Sequence, residues 1–154
     1  MAFSQLFSLS GLLVLPFWFA MIALPRWGVT RRVMRSPLIS AGAAALYLAL
    51  VLPRLDEILP AVSGGSLAAV AALLGTPAGA TIAWVHFLAF DLFVGRWAYL
   101  DSQERGIHPL VMAPVLLCTF MLGPIGYLLY LGVRAVAGLH TTARVAVTSP
   151  VPSR

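Results

Sequence analysis

Asp91 sits inside an uncharged apolar run that reads Thr81-Ile-Ala-Trp84-Val-His86-Phe87-Leu-Ala-Phe90-Asp91-Leu-Phe93-Val-Gly95 and then meets Arg96-Trp97. A charged side chain near the middle of a membrane-spanning helix costs about 2.5–3.5 kcal/mol on insertion scales. Such residues face the bundle interior or a wet cavity, and a carboxyl held there can give or take a proton. The structural alternative is an aspartate that only bonds a neighbouring helix. His86 is the other embedded titratable group. Five residues of helix separate the two by about 140°, so His86 and Asp91 do not share a face. Asp91 shares its stripe with Trp84, Phe87 and Leu88, and His86 shares one with Phe90, Phe93 and Trp97. Asp91 and His86 are the candidate acid and base. Trp84, Phe87, Phe90, Phe93, Arg96 and Trp97 are the candidate ligand contacts, because aromatic faces suit a flat apolar molecule. The same rings could instead fill gaps between helices. Arg96, at the end of the run, is expected to snorkel to the membrane surface, or else to reach a carboxylate.

Other combinations are weaker. Asp101, Glu104 and His108 have i, i+3, i+7 spacing, but Gly106 and Pro109 interrupt the helix that would align them. A solvated Asp101–Arg105 pair is the better expectation, and no metal site is expected. All ten basic residues are Arg. Without Lys there is no Schiff base and no phosphate-binding loop of the GxxxxGK type. Cys118 is alone, so no internal disulfide forms, and it reads as a small buried hydrophobe.

The elements that must carry Asp91 are membrane spans. Of 154 residues, 60% are hydrophobic and 10% charged, where a soluble domain is typically about 45–50% and 25%. The expected class is all-α, a polytopic helical bundle with four spans at about 3–24, 37–52, 77–99 and 109–133, forming one domain over 1–138. The tail 139–154 is expected to be polar and loosely ordered. The segment 58–74 is apolar but interrupted by Pro60 and Ser63-Gly-Gly-Ser66; it is interfacial, re-entrant or a fifth span. The first span lacks the preceding positive charge of a cleaved signal peptide and reads as uncleaved.

Net charge is +5. The bases flank apolar spans, so they set topology and do not point to nucleic acid. Arg26, Arg31, Arg32 and Arg35 follow the first span with no acid among them, which puts that loop in the cytoplasm. Four spans then leave both ends outside, and the basic residues Arg134, Arg144 and Arg154 lie on the wrong side for the positive-inside rule. A fifth span would relieve that conflict and displace the Arg96–Arg105 loop instead.

The stretch Leu73 to Arg105, LLGTPAGATIAWVHFLAFDLFVGRWAYLDSQER, resembles the core signature of the abscisic-acid-deficient-four-like family, that of plant neoxanthin-synthase-type proteins. Phe90 to Trp97 is its most specific part. Met112-Ala-Pro-Val and Leu122-Gly-Pro-Ile-Gly-Tyr-Leu-Leu-Tyr are similar too, and the likeness runs from about Phe3 to Gly138. The resemblance implies a small multi-span protein tied, in plants, to making neoxanthin from violaxanthin in plastid membranes. It supplies no catalytic residues. Opening an epoxide to an allenic alcohol is an isomerisation, which needs an acid and a base but no redox cofactor. Arg-only, Ala-rich usage without Asn, and no transit-peptide pattern, point to a bacterial member in the inner (plasma) membrane.

The leading expectation is thus a membrane protein that binds or isomerises a long isoprenoid, a carotenoid or xanthophyll, without a cofactor. The alternatives are a non-enzymatic scaffold for a partner membrane enzyme, or a small transporter. The partners expected are the lipid bilayer, a carotenoid ligand, and a second copy or another membrane protein. Ala41 to Ala45 and Ala68 to Ala72 would allow close helix packing.

Overall fold

The computed structural model describes the backbone of residues 2–148 and the side chains of residues 2–138. It is all-α: α1 (Phe3–Ala23), α2 (Gly28–Arg35), α3 (Ala41–Val51), α4 (Leu55–Ser63), α5 (Leu67–Leu74), α6 (Pro77–Glu104), α7 (Pro109–Leu122) and α8 (Pro124–Thr148). Single 3-10 turns at Pro37–Ser40 and Leu52–Arg54 lead into α3 and α4. Among the described residues, three helical runs are long and apolar enough to cross a membrane: Phe3–Ala23, Pro37–Ser63 and Pro77–Glu104.

The longest of these, α6, organises the rest. Its 28 residues span about 42 Å at 1.5 Å per residue. It starts sharply because Thr76 Oγ1 accepts a hydrogen bond from the Gly79 amide at 3.0 Å and Pro77 occupies the first turn. α1 runs parallel to it. Phe7 stacks on Trp84 at 5.0 Å near one end, the Trp18 ring lies directly on Gly95, and Tyr99 donates to the Pro25 carbonyl at 2.6 Å near the other. Gly95 has no Cβ, and the indole fills that space, as small residues permit between apolar helices. α3 runs antiparallel, with Tyr47 facing His86 and the pair Leu50 and Val51 packed with Ile82 and Val85. Beyond Val51 the run bends through Pro53 and Arg54. The Arg54 guanidinium lies 4.9 Å over the Phe3 ring, and α4 then packs on α5.

One open segment is narrowed and one expectation needs correction. The segment 58–74 is the end of α4 plus α5, and the eight residues of α5 reach only about 12 Å, too short for a fifth span. The expected fourth span, 109–133, is broken at Gly123. α7 climbs beside α6 from Pro109, with Phe120 against Trp18 at 5.2 Å. At Gly123 (φ +32°) the chain reverses, and α8 descends along α6. Tyr127 and Tyr130 lie 5.9 and 5.2 Å from Trp97, while Tyr130 and Arg134 both reach Asp101. Residues 109–134 are therefore a helical hairpin whose tip stops at Asp91, midway along α6. The close approach that makes the hairpin possible is Gly126 on Thr119: a Cβ at Gly126 would overlap the backbone of Thr119. Of the expected loose tail, 139–148 completes α8, and 149–154 lies outside the described residues.

The two halves of α6 are consequently packed differently. The C-terminal half is enclosed by α1, α2, α7 and α8, and the large buried cluster sits there, around Trp18, Met34, Leu92, Tyr99, Leu116 and Tyr130. The N-terminal half keeps the small cluster of Leu50, Val51, Ile82 and Val85, held between α3 and α6.

Candidate functional site

Asp91 stands where the enclosed half of α6 gives way to the open half. Its carboxylate touches the hairpin tip: a Cβ on Gly123 would come within 2.5 Å of Asp91 Oδ1. Gly123 is thus constrained twice, by its positive φ and by the carboxylate. α8 begins at Pro124, so its N-terminal end lies next to the carboxylate. Asp91 has no ion pair and no side-chain hydrogen bond among the described residues, and it is only half-buried.

The stripe that continues from Asp91 toward the start of α6 is aromatic. Phe87 and Trp84 lie four and seven residues earlier, on the same face. Trp84 is 40% exposed, Phe87 57% and Phe90 59%. Phe7 extends the surface through its stack on Trp84. Leu122 and Ile125, on the hairpin tip on either side of Gly123, are exposed. The result is an open aromatic face, closed at one end by a carboxylate and a hairpin turn. A hollow of about 550 Å³ along Ser4 to Leu12 lies on α1 and is lined by no titratable group.

His86 is on another face, as its spacing requires. Its ring lies 4.8 Å from Phe90 and 5.3 Å from Tyr47 of α3, and no hydrogen bond connects it to Asp91. Phe87, on the Asp91 stripe, meets the His86 ring edge-on at 6.1 Å, so Phe87 and Phe90 both lie between the two groups. Phe93 and Trp97 are brought together elsewhere, with Val94 and Tyr127, around a recess of about 350 Å³ between α6 and α8. Arg96 does not face the aromatic stripe. It meets no carboxylate among the described residues: its guanidinium donates to the carbonyls of Met34 (2.6 Å), Arg35 (2.9 Å) and Ser36 (3.1 Å), satisfying the C-terminal end of α2.

The expected Asp101–Arg105 pair is present at 2.7 Å. Asp101 also accepts from Arg134 at 2.9 Å and from the Tyr130 hydroxyl, and Arg134 lies over Trp97. This latch of α8 to α6 is not predicted by the sequence. Tyr130 and Arg134 are far from Asp101 in sequence, and their i, i+4 spacing was its only visible signal. His108 does not join Glu104; it caps α7, its Nδ1 accepting from the Leu110 amide.

Helices long and apolar enough for a bilayer, an aspartate amid exposed aromatics and a hairpin folded on it define a class: small all-α proteins of membrane character. The chain belongs to the ABA DEFICIENT 4-like family, which it matches over residues 5–130. It is similar to the protein ABA DEFICIENT 4, chloroplastic, of Arabidopsis thaliana, with 28% identity over 116 residues, 68% of this chain and 50% of the plant protein. This chain thus spans about half the length of that relative. No solved structure matches it.

Proposed function

We propose that this protein binds a carotenoid, in the xanthophyll class, along the aromatic face of the N-terminal half of α6, with an oxygen-bearing ring end against Asp91. The observation that carries this reading is the half-height hairpin. It ends on Asp91, leaves the carboxylate without a hydrogen-bond partner among the described residues, and leaves Trp84, Phe87 and Phe90 uncovered. A long polyene lies flat on such rings, and its polar end finds the one acid at that depth. Membership of the family supports the choice of a carotenoid.

The chemistry follows from what Asp91 can do. Protonated, it delivers a proton to an epoxide oxygen as the C–O bond opens; the resulting carboxylate then takes a proton from the adjacent carbon. Atoms and charge balance, and no cofactor is consumed. His86 lies too far around the helix to act on the same centre. In this reading the protein sits in a bacterial inner membrane with three crossings and a re-entrant α7–α8 hairpin. Arg26, Arg31, Arg32, Arg35, Arg105 and Arg134 then all lie on the cytoplasmic side. The positive-inside rule, strained by four spans, is satisfied.

The test is spectroscopic. The purified protein is reconstituted into vesicles that contain an epoxy-xanthophyll, and the visible spectrum and tryptophan emission are recorded. Binding shifts the polyene bands and quenches emission, and both effects weaken in Trp84→Ala and Phe87→Ala. Identical spectra with and without the protein would overturn the reading.

A further inference from the structure

The end of the molecule opposite the aromatic face carries a second, smaller recess of about 200 Å³, lined by Arg31, Arg35, Leu100, Gln103 and Glu104. We propose that it holds a phospholipid head group bearing a primary ammonium, of the phosphoethanolamine class, with the phosphate on Arg31 and Arg35 and the ammonium on Glu104. The inference does not rest on the carotenoid reading.

Three observations carry it. The first is how α2 is set. Thr30 and Met34 bury its inner face, and Arg96 fixes its end through three carbonyls. Val29 and Val33 stay exposed on one flank, while Arg31, Arg32 and Arg35 project from the other. A helix so divided lies along a membrane surface, with its apolar flank at the acyl chains and its guanidiniums at phosphate depth. The second is pre-organisation. Arg31 and Arg35, one turn apart, share a face. Gln103 accepts from Arg31 Nη2 at 2.9 Å, which aims that guanidinium into the recess.

The third is Glu104. It is exposed and forms no ion pair among the described residues, where Asp101 takes both Arg105 and Arg134. Two guanidiniums beside an unpaired carboxylate match a phosphate with an N–H donor two carbons away. A glycerol head group offers the carboxylate no cation, and a choline head group offers it no N–H donor. Leu100 supplies an apolar wall for the start of the acyl chains.

Lipid retention by the detergent-solubilised full chain is measured by native mass spectrometry with added phosphatidylethanolamine, phosphatidylcholine or phosphatidylglycerol. The unaltered protein is expected to retain phosphatidylethanolamine over both others. Arg35→Gln lowers its retention on the order of tenfold, the worth of one charge-assisted contact. Glu104→Gln abolishes the preference over phosphatidylcholine and leaves phosphatidylglycerol unchanged. Both side chains are exposed, so the variants keep the parent melting temperature. Equal retention of phosphatidylethanolamine and phosphatidylcholine by the unaltered protein would overturn the proposal, as would a Glu104→Gln variant with the preference intact. Displacement of the bound lipid by millimolar soluble phosphoethanolamine would show that the acyl chains do not matter, and would overturn the assignment to a lipid.

Discussion

The two halves of α6 use their polar residues in opposite ways. In the C-terminal half, every charged side chain on the helix up to Asp101 is engaged. Arg96 holds three carbonyls, Tyr99 donates to Pro25, and Asp101 binds Arg105, Tyr130 and Arg134. In the N-terminal half and at its boundary, His86 and Asp91 make no side-chain hydrogen bond among the described residues, and the neighbouring rings are exposed. Both halves are apolar helix with embedded charge, so composition does not separate them. Partners do. A polar group that is fully bonded stabilises the fold; one held near the membrane centre without a partner retains its capacity for chemistry or binding.

That contrast can be broken in several places. The largest effect is expected at Asp91. Asp91→Asn keeps the shape and removes the transferable proton. It should lower conversion of an epoxy-xanthophyll by about 10²–10⁴-fold, while the melting temperature in detergent stays at the parent value. An Asp91→Asn protein that converts substrate at the parent rate would remove the acid role. Next is Gly126→Ala, which forces a methyl into the backbone of Thr119 and should destabilise the protein by about 1–3 kcal/mol, measured by thermal unfolding. If the hairpin does not close as described, the substitution is silent.

Asp101→Asn sharpens the comparison from the other side. It removes two partly exposed ion pairs and weakens the Tyr130 contact, so a loss of about 1 kcal/mol is expected. Aspartate to asparagine therefore lowers stability at Asp101 and spares it at Asp91. Equal melting temperatures for the two variants would erase the distinction. The smallest change is Phe87→Leu. On an exposed face it should alter stability by less than about 0.5 kcal/mol, yet weaken the spectral shift of a bound xanthophyll.

Much of this was legible in the residues. A carboxylate in an apolar run is visible without coordinates, and the angular offset of His86 from Asp91 follows from helix geometry alone. The aromatic stripe through Phe87 and Trp84 follows in the same way. The hairpin was not legible. Residues 109–133 are apolar and long enough to cross a bilayer, and hydropathy does not distinguish a straight span from one folded back at Gly123-Pro124. The clue lay in charge: Arg134 and the tail arginines sit on the wrong side of a four-span arrangement. The role of Arg96 was also hidden, because its acceptors are backbone carbonyls about sixty residues away, which side-chain type does not advertise.

The central claim is that α7 and α8 enter and leave on one side, so that half of α6 stays open above Asp91. Single cysteines test it most directly. Arg32→Cys, on α2, and Val136→Cys, past the Arg134 latch on α8, are each made in a Cys118→Ser background; both positions are exposed. They are treated with a membrane-impermeant maleimide in intact and in permeabilised cells. The hairpin predicts that both are labelled only after permeabilisation. Labelling of Val136→Cys in intact cells, with Arg32→Cys still protected, would mean that 109–133 crosses the membrane and would contradict the account.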